Sequence, residues 1–413
     1  MLAKFKQSLC WRTLKSCVTK VTDDFLERAS LICEFLEGSE DVMQSFPAVD
    51  PIPLPAPIWL FKLLHIVTLA LHFVAVEMLL GGLLLAVILS AFKGSTLART
   101  TAGAIARRLT VVMTFVINLG VPPLLFAQVL YGRALYTSSV LIGVYWISII
   151  AILTLLYWLL YRFSYRIEAG KGAVCTGTIA WLLAGVVAKL LSTNMTLMLR
   201  PEVWQQMYSN SGAGVYLPTG DPTLFARWAT MMTGGLFIGG LWIVYLATKS
   251  TFTAEAKKFM AGLGGKVAAV FGILYLIAGL WAKALQPGQT MALMATHPLY
   301  SLMALAGTAW LALVVVGVLL AAVAGLLRLT AGWFGWALGV LALLIELTLV
   351  IYRDAIRDVT LLTKGFNVWD RVVVTNWSVV CLFLLLFVGG LGVIGWLISV
   401  VARAKKEMEG AAA

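Results

Sequence analysis

The sequence predicts an all-α integral membrane protein with about nine transmembrane helices. Of its 413 residues, 61% are hydrophobic and only 12% are charged, a composition far outside the range of soluble globular domains. The apolar residues are gathered in long runs, and each run approaches the roughly 20 residues that an α-helix needs to cross a bilayer. These two observations exclude a water-soluble enzyme or binding domain.

The first 57 residues differ from the rest of the chain. A basic stretch is followed by an acidic one, and neither has the continuous apolar run of a signal peptide. The segment FPAVDPIPLPAP then supplies five prolines, which stop any helix. We expect residues 1–57 to be an extramembrane segment with a Pro-rich lead-in. Two explanations stay open for its first part: an amphipathic cap on the membrane surface, or non-native sequence preceding a start at Met43.

Nine apolar runs follow, and we predict a transmembrane domain over 58–403 and a cytoplasmic tail over 404–413. The predicted spans are about 60–92, 106–131, 138–162, 174–198, 226–248, 266–284, 298–327, 332–352 and 375–402.

The loops predict the orientation of these spans. Basic residues gather after the odd-numbered spans and in the tail, whereas the other loops are nearly uncharged or charge-balanced. By the positive-inside rule, the N-terminus is periplasmic and the C-terminus cytoplasmic, in a bacterial inner membrane. The net charge of +12 is therefore explained by topology and does not indicate nucleic-acid binding. No internal repeat is evident, which disfavours an inverted-repeat transporter.

The first span, LLHIVTLALHFVAVEMLLGG, carries His65, His72 and Glu77. Seven residues at roughly 100° each place the two histidines within about 20° of one face, roughly 10.5 Å apart. Charged groups at membrane depth cost about 2.5–3.5 kcal/mol each, so such residues usually have partners. Two imidazoles in line suit a haem site, with His72 the stronger candidate ligand. Alternatively, both histidines hydrogen-bond neighbouring helices and bind no cofactor.

The cysteines limit which cofactors the chain can hold. Five are present, and none forms a C-x-x-C pair or a C-x-x-C-H motif. We therefore expect no covalent c-type haem on this chain and no iron–sulfur or zinc site. A redox cofactor would be held without a covalent bond, as a b-type or related haem, or a quinone.

Other polar groups interrupt the later spans. Tandem Pro122–Pro123 should kink span two, and Gln128 follows in the same half of the membrane. Lys189 lies near the middle of span four, where we expect it to be buried against a carboxylate, a haem propionate or water. In span five, four glycines within GGLFIGG would let another helix or a flat cofactor approach closely.

Span eight is followed by two Arg-Asp pairs, Arg353–Asp354 and Arg357–Asp358. Their spacing permits ion pairs along one helix face. We favour a short, solvated surface helix here; the alternative is an arginine pair that binds haem propionates or docks a partner.

Several segments together resemble subunit I of the cytochrome bd quinol oxidases. They are HFVAVEMLLG in span one, LGVPPLLFAQVLYG in span two, MTGGLFIGG in span five and LYSLMALAG in span seven. Their order, the nine spans and the external N-terminus agree with that family over residues 58–403. The resemblance implies a bd-like helical bundle that binds haem.

Position by position, the resemblance carries over only some functional residues. His72 falls on a histidine that ligates a haem of the high-spin pair, and Met303 falls on an axial methionine of the low-spin b haem. The histidine expected opposite that methionine aligns with Ala229. Gln128 stands where the family has a glutamate of the proton and haem site, and Glu346 lies near the family's glutamate in span eight.

These differences favour electron transfer over oxygen reduction, because a proton route to an oxygen site needs titratable groups in series. The long quinol-binding loop is also missing, since Gln286 to His297 is short. Looser members of the superfamily resemble membrane anchors for c-type cytochromes, and His65 with His72, and Arg353 with Arg357, fit that pattern.

We therefore expect a haem-binding membrane subunit of a respiratory complex that relays electrons between quinone and c-type cytochromes. Other membrane subunits, a c-type cytochrome and membrane lipid would be its partners. Lys189, Arg353 and Arg357 would offset the charge of haem propionates. The alternatives are a bd-type terminal oxidase that reduces O₂ and a haem-free structural anchor.

Overall fold

The structure is a computed structural model that describes residues 46–47 and 52–411. These residues are predominantly helical, and none of them belongs to a β-strand. The predicted cap over the first 42 residues lies outside the described residues. The predicted tail lies within a helix as far as Ala411.

Eight helices are long and apolar enough to cross a membrane within the described part of the chain, and they match the first eight predicted spans. They are α1 (Ile58–Ala91), α2 (Thr96–Leu141), α3 (Gly143–Glu168), α4 (Val174–Leu197), α6 (Leu224–Ala247), α7 (Ala254–Ala284), α9 (Pro298–Leu327) and α10 (Gly332–Leu362).

Shorter elements connect these helices, and a further long helix follows them. The short elements are a 3₁₀ turn (Pro201–Val203), α5 (Trp204–Asn210) and α8 (Gly288–Thr296). Helix α11 (Trp377–Ala411) coincides with the ninth predicted span, and its apolar part among the described residues is Trp377–Gly390.

Helix α1 lies at the centre of the bundle, in contact with α2, α4, α6 and α10. Glycines allow its backbone to approach α6 directly. A Cβ added at Gly81 would overlap the carbonyl of Gly235, and one at Gly239 would lie 3.0 Å from the Gly81 carbonyl carbon. The glycine-rich segment of α6 therefore serves helix packing, the first of the two uses that its sequence allows.

Helix α2 contains both prolines of the predicted kink. Pro122 and Pro123 lie inside the helix, and the residue within it that leaves helical geometry is Tyr131 (φ −121°, ψ 19°). Beyond Tyr131 the helix continues to Leu141, past the predicted end of span two. The break accompanies a fully buried Tyr131 side chain, whose hydroxyl reaches α10.

Two connecting segments pair at one end of the bundle. Leu54 donates its N–H to the carbonyl of Val372 (2.8 Å), and its own carbonyl accepts from Val374 N–H (3.0 Å). The chain before α1 and the chain between α10 and α11 are thereby joined at the same end.

Candidate functional site

The two histidines of α1 both bond to the backbone of α2. The Nδ1 atom of His65 lies 2.9 Å from the carbonyl oxygen of Pro123, and that of His72 lies 3.0 Å from the carbonyl oxygen of Val116. The acceptors are seven residues apart, like the histidines, as expected for two antiparallel helices in register. Both imidazoles therefore lie on one face of α1, as their spacing predicts.

The second ring nitrogen distinguishes the two histidines. Nε2 of His65 accepts from the guanidinium of Arg357 at 2.9 Å, so both of its nitrogens are engaged. Within the described residues, Nε2 of His72 has no hydrogen-bond partner. Because the Val116 carbonyl can only accept, Nδ1 of His72 carries the proton and Nε2 carries the free lone pair.

Gly120 allows the His72 ring to lie against the backbone of α2. A Cβ at this glycine would lie 2.8 Å from Cε1, 3.1 Å from Nδ1 and 3.6 Å from Nε2 of the imidazole, so a larger residue would displace the ring. A histidine whose one ring nitrogen is held by a carbonyl while the other has no hydrogen-bond partner resembles the usual arrangement of a metal-ligating histidine.

A buried ionic network lies next to His65, between α1, α2 and α10. Lys62 Nζ lies 2.9 Å from Asp354 Oδ2 and 2.6 Å from Asp358 Oδ1. It also donates to the hydroxyl of Tyr131 (2.6 Å), which in turn donates to Asp358 Oδ1 (2.8 Å). Arg357 completes the group by donating to Asp354 Oδ1 (3.3 Å). Two cations thus balance two carboxylates.

The network corrects the expectation that the Arg-Asp pairs form a solvated surface helix. Asp354 is 1% exposed and Asp358 is 2% exposed, and both belong to α10 itself. Burial is tolerated because Lys62 and Tyr131 supply ionic and hydrogen-bonding partners. Lys62 and Tyr131 were not among the residues predicted from the sequence. The available signal was a lysine within an apolar run, together with two aspartates four residues apart.

Two buried carboxyl groups meet deeper in the bundle. Glu77 of α1 and Glu346 of α10 interact with each other, and the Tyr275 hydroxyl donates to Glu346 Oε1 (3.0 Å). Glu77 Oε1 occupies the space that a Cβ at Gly234 would need. Each glutamate has one oxygen, Oε2, without a hydrogen-bond partner among the described residues. The spacing of Glu77 and Glu346 in the sequence gives no sign of this pairing.

The remaining predicted residues lie apart from His72. Lys189 is exposed on the flank of α4, where it borders a groove with Trp181 and Trp228, so the expectation that it is buried was wrong. Its side chain is exposed because it faces the open groove between α4 and α6. Met303 is half-buried in the cluster around Tyr300, and Gln128 is half-buried on α2.

A cleft lies between α6, α7, α9 and α10; its free space, counted together with the open space in front of it, is about 790 Å³. Arg227, Lys283 and Arg353 line it. The guanidinium of Arg353 also lies over the ring of Phe73, 5.0 Å from its centroid, beside His72 in the sequence.

The donor set of the described residues is compatible with a macrocyclic metal cofactor. No three His, Cys, Asp or Glu side chains cluster as metal ligands within the described part of the chain. A porphyrin supplies four of the ligands of its iron, so a single well-oriented imidazole suffices on the protein side. His72, whose Nε2 has no hydrogen-bond partner among the described residues, fits that requirement.

No family model matches this sequence, and no curated protein matches it. The fold is similar to that of a chain in the solved structure of the bd oxidase from Geobacillus thermodenitrificans. The TM-score is 0.58 at 12% sequence identity, and the match covers 82% of this chain and 96% of that chain. At this identity the likeness shows a shared fold, which confirms the predicted all-helical, bd-like bundle.

Proposed function

We propose that this chain is a haem-binding membrane subunit of a respiratory electron-transfer complex, in which His72 Nε2 would bind the iron of a b-type haem. The geometry of His72 carries the proposal: Nδ1 is held by the Val116 carbonyl, and Nε2 has no partner among the described residues. Gly120 has no side chain and so lets the imidazole ring lie against the α2 backbone. The shared fold with a chain of a bd oxidase supports the same function.

The residues of this chain would bind and orient the haem, and the haem itself would supply the redox chemistry. A bound haem supplies a one-electron couple between ferric and ferrous iron. The Val116 carbonyl fixes the tautomer and the orientation of the His72 ring. His65 is engaged by Pro123 and Arg357, so it stabilises the protein around the site without binding iron.

The electrons would pass between quinol and a c-type cytochrome. Oxidation of one quinol to quinone releases two electrons and two protons, and two ferric c-type haems each take up one electron. Other membrane subunits and the c-type cytochrome are the partners that this role requires. The chain itself has no C-x-x-C-H motif to hold a c-type haem.

Haem content of histidine variants tests the ligand. His72→Ala should lose most haem per polypeptide, because the imidazole that would bind iron is removed. His65→Ala and His297→Ala should retain it, since His65 has no free nitrogen and His297 packs on Tyr300 at the start of α9. Pyridine haemochrome analysis of monodisperse purified protein measures the ratio. Equal haem in all three variants would refute ligation by His72.

Spectra and oxygen uptake distinguish the proposed electron-transfer subunit from a haem-free anchor and from a terminal oxidase. A redox-difference spectrum of the purified complex should show b-type haem bands that quinol reduces and ferricytochrome c reoxidises. Absence of a Soret band would identify a haem-free anchor. Quinol-dependent oxygen consumption by the complex, without cytochrome c, would identify a terminal oxidase.

A further inference from the structure

Arg227 and Arg353 form the cationic floor of the cleft between α6, α7, α9 and α10, and neither forms an ion pair with a carboxylate among the described residues. Arg353 donates no hydrogen bond within the described residues; its guanidinium lies over the ring of Phe73, and Glu77 and Glu346 are near enough to attract it. Arg227 donates to a neutral acceptor, Thr196 Oγ1, at 2.9 Å. The two guanidinium groups are close enough to repel each other.

A polar atom of the cleft also lacks a partner. Tyr352 lies beside Arg353 in α10, and its hydroxyl is buried with no hydrogen-bond partner among the described residues. Buried hydroxyls normally bond to protein or ligand, because desolvating them without compensation costs free energy. Within the described part of the chain, the cleft is therefore lined by two arginines without an ion pair and by a tyrosine whose hydroxyl is unpaired, a set that suits an anion with several acceptor oxygens.

The mouth of the cleft opens sideways between α7 and α9. Leu280 is 47% exposed there, and Thr308 on the facing helix is also exposed. Lys283 lies at the mouth in the last turn of α7, at the level where the helix ends. In a bilayer-spanning bundle such an opening faces lipid, and a lysine at a helix end lies near the headgroups.

Apolar side chains also line the cleft, among them Leu311, Leu349 and Ile356. A free inorganic anion would leave these side chains without a contact, whereas an acyl chain would pack against them. The lining thus suits a ligand with an anionic head and an apolar body.

We propose that this cleft binds an acidic phospholipid. Its phosphate would accept hydrogen bonds from Arg227, Arg353 and the Tyr352 hydroxyl, and Lys283 would contact the headgroup at the mouth. The acyl chains would leave between α7 and α9 past Leu280. The site is distinct from that of His72 and does not depend on haem binding.

Lipid exchange into the detergent-purified complex tests the proposal. Native mass spectrometry should show one dioleoyl-phosphatidylglycerol retained per chain, together with a rise in Tm. Dioleoyl-phosphatidylcholine should be lost at the same collision energy, because its head carries no net negative charge. Inorganic phosphate should neither raise Tm nor displace the lipid. Displacement by phosphate would identify a simple anion site and overturn the proposal.

Variants of the floor locate the lipid. Arg353→Gln and Arg227→Gln should each weaken phosphatidylglycerol binding about tenfold or more, since each removes a charge-assisted hydrogen bond. Tyr352→Phe should weaken it several-fold without changing the shape of the cleft. Lys258→Gln, an exposed lysine near the opposite end of α7, is the matched control and should bind lipid normally.

Two results would overturn the assignment. Unchanged phosphatidylglycerol binding in both arginine variants would place the lipid elsewhere. If the two arginine variants lost haem but retained the lipid, haem carboxylates rather than a lipid phosphate would occupy the cleft. His72→Ala should keep its phosphatidylglycerol, so failure of the haem proposal and failure of the lipid proposal give different results.

Discussion

Lys62 shows how one buried residue joins three helices. Its ammonium group contacts Asp354, Asp358 and Tyr131, and its side chain is only 6% exposed. A buried ion pair adds little net stability over an apolar replacement of the whole group, because desolvation offsets the attraction. Removing only one partner lowers the stability much more, because the remaining charges then stay buried without compensation.

Lys62→Met should therefore destabilise the protein by about 3–5 kcal/mol, because Asp354 and Asp358 would be left with Arg357 as their single cation. Denaturant unfolding in detergent measures the loss. The matched control is Lys364→Met, which breaks a partly exposed pair with Glu202 (2.6 Å) and should cost less than about 1 kcal/mol. Equal losses in both variants would contradict the compensating role of Lys62.

At the scale of helices, glycines decide which pairs lie closest. Gly81 of α1 faces Gly235 of α6, and Gly240 of α6 faces Ala268 of α7 on the opposite side. Helix α6 can thus contact two neighbours through its backbone. In a bilayer such close approach replaces the hydrophobic effect as a source of helix association.

Gly81→Ala should destabilise the bundle by about 1–3 kcal/mol or more, because the added methyl overlaps backbone that cannot move aside. Gly185→Ala is the control: this glycine is also helical, but nothing lies within 4 Å of its added Cβ. The control should be neutral or more stable by about 0.5–1 kcal/mol, because alanine favours a helix. Comparable unfolding midpoints for the two variants would argue against the glycine contact.

The helices could be predicted from sequence far better than their contacts. Apolar runs fixed the eight spans to within a few residues at most ends, because the bilayer demands continuous apolar stretches. The largest exceptions are α7, which begins 12 residues before its predicted start, α2, which exceeds its prediction by 10 residues at each end, and α10, which continues 10 residues past its predicted end. The partners of Lys62 and the exposure of Lys189 depend on which helices are neighbours. The sequence of a single span does not show which helices it will contact.

At the scale of the whole molecule, successive helices must alternate in direction across the membrane. The pairing of Leu54 with Val373 places the start of α1 and the end of α10 together, as an even number of crossings between them requires. The basic loops after odd-numbered spans lie at the other end. The positive-inside rule predicts that this end faces the cytoplasm.

Cysteine labelling in intact cells tests this orientation. In a variant whose other cysteines are replaced, Cys175, exposed at the start of α4, should react with a membrane-impermeant maleimide only after permeabilisation. Gln289→Cys, exposed at the start of α8, should react from outside in the same background. The reverse pattern would invert the predicted topology.

The ion pair between Lys62 and Asp354 joins residues 292 positions apart, and this has a consequence for biosynthesis. A ribosome delivers α1 to the insertion machinery long before the aspartates of α10 have been translated. Throughout that interval Lys62 has neither of its aspartate partners, so we expect the start of α1 to stay in contact with water or with the insertase. In a nascent chain that stops before α10, this lysine would stay exposed. Quality-control proteases could then recognise it as a sign of incomplete assembly.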